Sequence, residues 1–417
     1  MRLIAQPHQI CPTYPSQLLI PASISDDTVR ASSSFRQGGR FPILSYYHRP
    51  TRSLLIRCSQ PLVGPGNRRC REDEQLLNAM LSSNKKGYII DTRSITAAQS
   101  AKQKGGGFEP EGHYPQWKRI HNVLPRYSQL LDYLSKHVDA CNQSDPGRWL
   151  QRLASAGWMQ AVQEMLNCAA LGAQCMDREG EVSEMSVVVH GSEGLDNTIL
   201  ITSLIQIILD PDTRTLRGFQ SLLEREWLSG GHPFFSRCSR GAFSRQTGSN
   251  TSAPTGQEGP TFLCFLDCVY QSCWFNRHLG CVASSSLGIL VCLTFVMESG
   301  TFLCDSEKER RAANLQNRTV SLWSFVNRPE VMHEFINAFY DPNNSPIWPS
   351  VASQSLINWE SVFLRWSKDW SSFRQCQDTA ASASRQHRAL ISNINKLRRQ
   401  MVDLKRECQQ RSLEQSA

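Results

Sequence analysis

Residues 185–198 read MSVVVHGSEGLDNT, and this stretch decides the fold. Its first part, Met185 to His190, is a short run rich in β-branched residues, which is typical of a strand buried on both faces. Glycines follow at positions 191 and 194, and the residues from about Asn197 to Leu209 are apolar over the length of a helix. A strand, a glycine-containing turn and a helix in this order indicate an α/β domain.

Further strands and helices are indicated on both sides of this stretch. Gly87 to Asp91 is a compact apolar strand. Apolar residues recur at helical spacing in 127–137 and 150–174, and residues 71–83 form a polar, helix-like stretch. Residues 238–260 are rich in Ser, Gly and Thr and are predicted to be a loop. The pattern predicts a central sheet flanked by helices.

The composition allows a sizeable core, since 40% of the 417 residues are hydrophobic and 20% are charged. The formal net charge of +8 fits an anionic partner such as a phosphoinositide membrane, although most proteins with this balance are simply soluble. No nucleic-acid motif or interleaved basic and aromatic stripe is present, so no nucleic-acid partner is expected. The glycine run at 105–107 lacks the Lys-Ser/Thr ending of a P-loop, and no cofactor is expected.

The 15 cysteines are spread from Cys11 to Cys408. The first ten residues, MRLIAQPHQI, lack the apolar run of a signal peptide. Scattered cysteines without a secretory signal indicate reduced thiols and a cytoplasmic protein. Cys264, Cys268 and Cys273 are not followed by a second pair of ligands at zinc-site spacing, so we expect core thiols and no metal.

The turn between the strand and the helix is typical of an anion site, because backbone N–H groups and a helix N-terminus point at one place. Phosphatases that use cysteine add two side chains to such a cradle. A thiolate at its base attacks, and an arginine at the helix start binds two phosphoryl oxygens. Neither residue is present here, since the turn reads His190-Gly191-Ser192-Glu193-Gly194-Leu195-Asp196-Asn197-Thr198.

The turn resembles the active loop of the myotubularin phosphoinositide phosphatases, which reads His-Cys-Ser-Asp-Gly-Trp-Asp-Arg-Thr. The two loops agree at His190, Ser192, Gly194, Asp196 and Thr198. They differ at Gly191, where the family has the nucleophilic Cys, and at Asn197, where it has the Arg. Glu193 and Leu195 stand where the family has Asp and Trp.

Segments on both sides of the loop resemble the family in the same order, over roughly residues 11–271 and 301–370. Upstream they are Phe35-Arg36, Arg40-Phe41-Pro42, Arg57-Cys58-Ser59-Gln60-Pro61, Asp91-Thr92-Arg93, Gly106-Gly107-Phe108-Glu109 and Ser155-Ala156-Gly157-Trp158. Downstream they are Arg214-Thr215-Leu216-Arg217-Gly218-Phe219, Glu226-Trp227-Leu228-Ser229-Gly230-Gly231-His232, Phe265-Leu266-Asp267-Cys268-Val269, Glu307-Lys308-Glu309-Arg310 and Ser321-Leu322-Trp323.

The resemblance implies a cysteine-dependent-phosphatase-like fold and, because of Gly191 and Asn197, a catalytically inactive member: a pseudophosphatase. It implies an adaptor or regulatory partner of active myotubularins, in the cytoplasm or peripherally on endomembranes. The alternative is residual phosphatidylinositol 3-phosphate phosphatase activity. Serine catalysis at Ser192 is disfavoured, because a base must be aimed at it and the turn is not a G-x-S-x-G elbow.

The loop is nevertheless expected to keep its strand–turn–helix shape, because glycine adopts the φ values of a tight turn. Weak anion binding through backbone N–H groups would then persist. Glu193 and Asp196 are expected to cap the helix and to favour its positive end.

The predicted organisation is an N-terminal tail at 1–10, a phosphatase-like domain at 11–375 and a coiled coil at 381–411. The lipid-binding PH-GRAM domain that begins family members is expected to be missing. Residues 272–300 are atypical of the family, and Leu279 to Met297 carries no charge. A membrane span and a buried segment both stay open for that run, with the buried segment favoured.

A heptad seam near the end predicts the coiled coil. Its a and d positions are filled by Leu390, Ile394, Leu397, Met401, Leu404 and Cys408. Three heptads are marginal alone, so a lone amphipathic helix packed on its own domain is the competing interpretation. The coiled-coil interpretation predicts a hetero-oligomer with an active relative.

Overall fold

A computed structural model describes residues 1–5, 7–81, 86–142, 146–177, 184–238, 258–275, 300–335, 344–364, 382 and 386–406. The chain divides into two compact units, Met1–Phe363 and Leu364–Ala417. The first unit contains both sheets. In the second unit, residues 386–406 form a helix.

The strands form a five-stranded sheet and a two-stranded sheet. Their bounds are β1 (Arg2–Ala5), β2 (Gln17–Ile20), β3 (Ile43–His48), β4 (Ser53–Arg57), β5 (Gly87–Asp91), β6 (Trp117–His121) and β7 (Val187–His190). The larger sheet has the order β3-β4-β7-β5-β6, in which β3 and β4 are antiparallel and the other neighbours are parallel. Strand β7 lies at its centre, as its fully buried pattern requires.

The helices of the first unit cover both faces of this sheet. They are α1 (Asp26–Phe35), α2 (Arg71–Asn78), α3 (Ile95–Gln103), α4 (Tyr127–Cys141), α5 (Pro146–Ser155), α6 (Trp158–Met176), α7 (Asn197–Leu209), α8 (Leu216–Leu222), α9 (Phe234–Cys238), α10 (Thr261–Phe275), α11 (Glu307–Ala312), α12 (Leu315–Arg318), α13 (Leu322–Val326), α14 (Pro329–Phe335) and α15 (Glu360–Phe363). The helix of the second unit is α16 (386–406).

Successive side chains of the central strands point to opposite faces of the sheet, so the core has two layers. Val188 and its strand partners Ile56 and Ile89 pack in one cluster with residues of β1, β2, α1 and α2. On the other face, Ile90 lies close to Gly172 of α6 and Ile205 of α7. Helix α7 is buried from Thr198 to Leu209, which explains its lack of a polar face. The predicted α/β sheet flanked by helices is confirmed.

Two sequence-based boundaries differ from the structure. Residues 1–10, predicted to be a tail, contain β1, which pairs with β2 and buries Ile4 in the core. The helical pattern over 150–174 is divided between α5 and α6, because Gly157 has φ +83° and breaks the helix. Periodicity alone does not show such a break, since the apolar spacing continues across it.

None of the helices in the described ranges is long and apolar enough to cross a bilayer. The uncharged run Leu279–Met297 lies outside those ranges, as do Cys408 and positions 239–257 of the loop predicted at 238–260. The first residue of that loop, Cys238, ends α9. Residues 386–406 confirm a C-terminal helix, and its apolar seam from Leu390 to Leu404 is exposed.

Candidate functional site

The turn from His190 to Thr198 has the predicted strand–turn–helix shape, with β7 ending at His190 and α7 beginning at Asn197. It lies at the carboxyl end of the parallel strands, where open α/β sheets place their ligands. The backbone N–H of Thr92, which follows β5, donates to the His190 carbonyl at 3.0 Å. The parallel pairing of β5 and β7 therefore fixes the two loops side by side.

Gly194 shapes the turn through both its conformation and its size. Its φ is +73°, a left-handed value that favours glycine. A Cβ at this position would lie 2.6 Å from the Cys58 carbonyl oxygen. That contact is with backbone, so it is not relieved by rotating a side chain. The family glycine at this position is thus required by the shape of the loop itself.

Gly191 occupies the nucleophile position and provides no reactive atom. A Cβ built there would lie 2.7 Å from the Thr92 hydroxyl oxygen and 3.7 Å from that of Thr198. Any side chain at 191 therefore requires the Thr92 hydroxyl to rotate away.

Asn197 begins α7 at the position where the resemblance expects an arginine. Its Nδ2 donates to the Pro125 carbonyl at 3.0 Å, which ties the helix start to the segment ahead of α4. A neutral amide engaged in this way supplies no charge to an anion. The residue acts as a link between two segments of the site wall.

A buried chain of charges supports the base of the loop. Arg36 donates to both carboxylate oxygens of Asp73, at 2.9 and 2.6 Å, and to Glu109 Oε1 at 2.7 Å. Glu109 Oε2 lies 3.0 Å from His190 Nε2, so the chain ends on the first residue of the turn. Burial by itself raises the pKa of Glu109, but the charges of His190 and Arg36 outweigh it and hold that pKa far below its usual range.

His190 and Cys58 are two side chains at the loop that could take part in covalent chemistry. The His190 ring faces Glu109 and the Gly191 carbonyl, with Nδ1 at 3.3 Å from that oxygen, and makes no hydrogen bond to Ser192. Cys58 lies next to the loop, yet burial raises the pKa of its thiol to about 12, so it is protonated near neutral pH. Neither side chain has the arrangement that covalent catalysis needs.

Asp196 does not cap α7, although it occupies the cap position, and the capping expectation is wrong for this residue. Its carboxylate accepts from Arg237 Nε and Nη2 at 3.0 and 2.8 Å and from the Thr261 hydroxyl at 3.2 Å. Burial raises the pKa of Asp196, but the bonds and charge of Arg237 bring it below the usual value. Arg237 in turn lies 3.8 Å over the Tyr127 ring. Asp196 therefore holds the turn against α9 and α4.

His232 supports the turn from the other side. Its Nδ1 lies 2.9 Å from the Leu195 carbonyl oxygen, and the ring packs edge-on against Trp227 and Phe234. Burial lowers the pKa of His232 to about 4, with the nearby Asp196 charge opposing this shift in part. The imidazole is therefore neutral and donates from Nδ1 near pH 7.

Acidification is expected to weaken the folded state through His232. Its folded pKa of about 4 lies below the unfolded value of 6.5, so the unfolded chain binds the extra proton between these values. Stability present above pH 6.5 is lost as the pH falls, by about 2 kcal/mol at pH 5. His232→Asn keeps an N–H for Leu195 but does not titrate. Urea unfolding measures the free energy of unfolding at pH 7 and at pH 5. The loss between the two pH values should be smaller in the variant than in the unmodified chain, and equal losses would refute the role of His232.

A cavity of about 480 Å³ lies over the turn. Beyond the turn itself, its wall comes from α3 and from the segment around Val123 to Gln129. Lys104 and Arg126 are its exposed cations, whereas the Arg93 guanidinium is held by Asp91 at 2.8 Å from each carboxylate oxygen. No cluster of metal-ligating side chains is found within the described ranges. Cys264 and Cys268 are buried in α10, and the side chain of Cys273 is not among those that the structure describes.

Several residues of the site could not be assigned roles from the sequence. Arg36, Glu109 and His232 belong to segments that resemble the family. That resemblance was the only feature of the sequence that pointed to them. Arg237 had no such feature, because its partner Asp196 is 41 positions away in the chain. Thr92 also belongs to a segment that resembles the family, but only the structure places its hydroxyl beside position 191.

The chain matches a known protein-family model over three quarters of its length. The model described as a myotubularin-like phosphatase domain matches residues 1–311. This range contains both sheets and the entire turn at 190–198.

Individual relatives extend this similarity along nearly the whole chain. Myotubularin-related protein 9 of Mus musculus is 45% identical over 403 residues, which cover 95% of this chain and 71% of that protein. The Homo sapiens protein of the same name gives the same figures, 45% over 403 residues. Phosphatidylinositol-3,5-bisphosphate 3-phosphatase MTMR2 of Mus musculus is 33% identical over 371 residues, covering 87% of this chain and 55% of that protein.

Proposed function

Because this chain belongs to the family of myotubularin-like phosphatase domains, we propose that it is a catalytically inactive member that serves as an adaptor or regulatory partner of active myotubularin lipid phosphatases. The observation that carries the proposal is the turn at 190–198. Its shape is retained, while Gly191 provides no nucleophile and Asn197 no charge.

The second candidate function is residual activity toward phosphatidylinositol 3-phosphate. In its favour, a relative named as a 3-phosphatase of phosphatidylinositol 3,5-bisphosphate is 33% identical, and Lys104 and Arg126 line the cavity. Against it, His190 faces the Gly191 carbonyl and makes no hydrogen bond to Ser192, and burial keeps the Cys58 thiol protonated near neutral pH. The inactive alternative is therefore the better supported of the two.

The partner surface that we propose is the apolar seam of α16. Leu390, Leu397 and Leu404 are 60%, 62% and 59% exposed, which is unusual for leucine at three consecutive d positions. Leu at d with the branched Ile394 at a suits a two-stranded coiled coil.

Charges beside the seam favour a hetero-oligomer. The e positions carry Ile391, Arg398 and Lys405, whereas the g positions carry Asn393, Gln400 and Glu407. A self-pair has few opposite charges, and a partner with acidic g positions gains about 0.2–1 kcal/mol for each exposed pair. We therefore propose an active myotubularin as the partner, with a cytoplasmic location and peripheral contact with phosphoinositide membranes.

Substitution of the seam should strongly reduce partner recovery. Leu397→Ser with Leu404→Ser removes two apolar anchors at about 1.5 kcal/mol or more each, so affinity should fall about a hundredfold. The measurement is a pull-down from cytosol with the tagged chain, in which active myotubularins are quantified by mass spectrometry.

The matched control is Val402→Ser, an exposed apolar residue of the same helix at a b position outside the seam. It should leave recovery unchanged. Equal recovery with the double variant and the unmodified chain would mean that α16 is not the pairing surface, as the alternative of a helix packed on its own domain predicts.

A further inference from the structure

Residues 344–363 form a segment that we call the strap. It lies outside the family match, which ends at residue 311, and it is followed directly by the second unit. Its regular structure is limited to a 3-10 turn, Ser353–Ser355, and the short helix α15. At its start, Ile347 N donates to the Ile208 carbonyl at 3.0 Å and Arg214 Nη2 donates to the Ser345 carbonyl at 3.0 Å.

Side chains of the domain hold the rest of the strap by its backbone. Gln163 Nε2 donates to the Val351 carbonyl at 2.7 Å. Gln271 makes two bonds to one residue, since its Nε2 donates to the Ile357 carbonyl at 2.8 Å and its Oε1 accepts from Ile357 N at 3.1 Å. Two side-chain amides therefore bind the backbone N–H and C=O groups of the strap, which a neighbouring strand binds in a sheet.

The end of the strap inserts apolar side chains into the domain. Trp359, Val362 and Phe363 are 0%, 4% and 3% exposed. Trp359 directly precedes α15 and its carbonyl accepts from Val362 N and Phe363 N, so the i, i+3, i+4 spacing places the three side chains on one side of this turn. Trp359 stacks on Tyr270 with ring centroids 4.8 Å apart, and its Nε1 is buried without a hydrogen bond. This is how an amphipathic helical peptide occupies a groove.

Part of the floor of that groove is held together by bonds that do not involve the strap. Asp267 accepts from Trp158 Nε1 at 2.7 Å and from Gln271 Nε2 at 2.9 Å, all within α6 and α10. His137 of α4 contacts the Phe363 ring at 4.7 Å between centroids, and its Nε2 lies 3.0 Å from Asn358 Oδ1. Removing the strap thus leaves the two bonds of Asp267 in place, while His137 and Gln271 lose their strap partners.

We propose that the strap is a detachable segment, bound in cis to a preformed aromatic groove, which opens as one unit while the central sheet and α7 stay folded. Segments with few backbone bonds to the core open at lower free energy than the core itself. The second unit follows the strap in the chain. A released strap adds roughly 25 Å of random-coil reach.

Hydrogen exchange of the full-length chain tests this. Amides of 344–363 should exchange together and at least about tenfold faster than those of α7. Trp359→Ala should raise strap exchange by a further factor of about ten and leave α7 exchange unchanged. Trp348→Ala, which removes a 39% exposed tryptophan from the same strap, should change neither rate.

Binding in trans provides the second measurement. A labelled synthetic peptide of residues 352–364 should bind the full-length Trp359→Ala chain, as measured by fluorescence anisotropy, and the same peptide carrying Trp359→Ala should not. Strap exchange at the rate of α7, or acceleration of both by Trp359→Ala, would show that the strap opens only with the whole domain. Equal behaviour of the two peptides would show that the groove does not recognise the strap.

Discussion

Purified protein is expected to release no phosphate above a no-protein blank from phosphatidylinositol 3-phosphate or phosphatidylinositol 3,5-bisphosphate. Gly191 cannot form the thiolate that attacks phosphorus, and loss of a nucleophile alone removes on the order of a millionfold of rate. Asn197 is neutral, so it cannot stabilise the negative charge of the transition state. An arginine that does so raises the rate of phosphoryl transfer by about 10³–10⁵. The measurement is phosphate release from lipid vesicles beside an active family member.

The same assay includes a loop control. Phosphate release that persists in a chain with a substituted 191–198 loop comes from a contaminant. Release that the loop substitution abolishes would instead show that the chain is an enzyme.

The double change Gly191→Cys with Asn197→Arg is expected to restore little of the activity. The new side chain at 191 must displace the Thr92 hydroxyl, which lies 2.7 Å from its Cβ position. Replacing Asn197 also breaks its bond to the Pro125 carbonyl. Leu195 still differs from the family's Trp.

Loss of the buried arginine should have the largest effect on stability. Arg36→Met leaves the buried carboxylates of Asp73 and Glu109 without their cation, which costs about 3–5 kcal/mol when one partner of a buried pair is removed. Urea unfolding followed by tryptophan fluorescence measures the shift in midpoint. Arg30→Met on α1 is the matched control, since Arg30 and its partner Asp27 are 63% and 92% exposed in their side chains. Exposed pairs contribute about 0–1 kcal/mol, so similar midpoints for the two variants would contradict the role of Arg36.

Much of the architecture was decided by local sequence pattern. The run from Met185 to His190 could be predicted as a buried strand, observed at Val187–His190, because an unbroken β-branched run is typical of a strand with both faces buried. The bounds of β5 and α7 follow equally from local pattern. The break at Gly157 and the pairing of β1 with β2 could not be predicted, because the first depends on one φ angle and the second on a strand partner that no periodicity identifies.

For the site, the sequence by itself determined what is missing. The absence of a thiol at 191 and of a guanidinium at 197 is a matter of residue identity, and no folding can change it. What remains was decided by the tertiary structure, which brings Glu109 to His190, Arg237 to Asp196 and the Thr92 hydroxyl to the space beside Gly191. These contacts join residues far apart in the chain, and burial makes each charge depend on a partner that sequence spacing does not reveal.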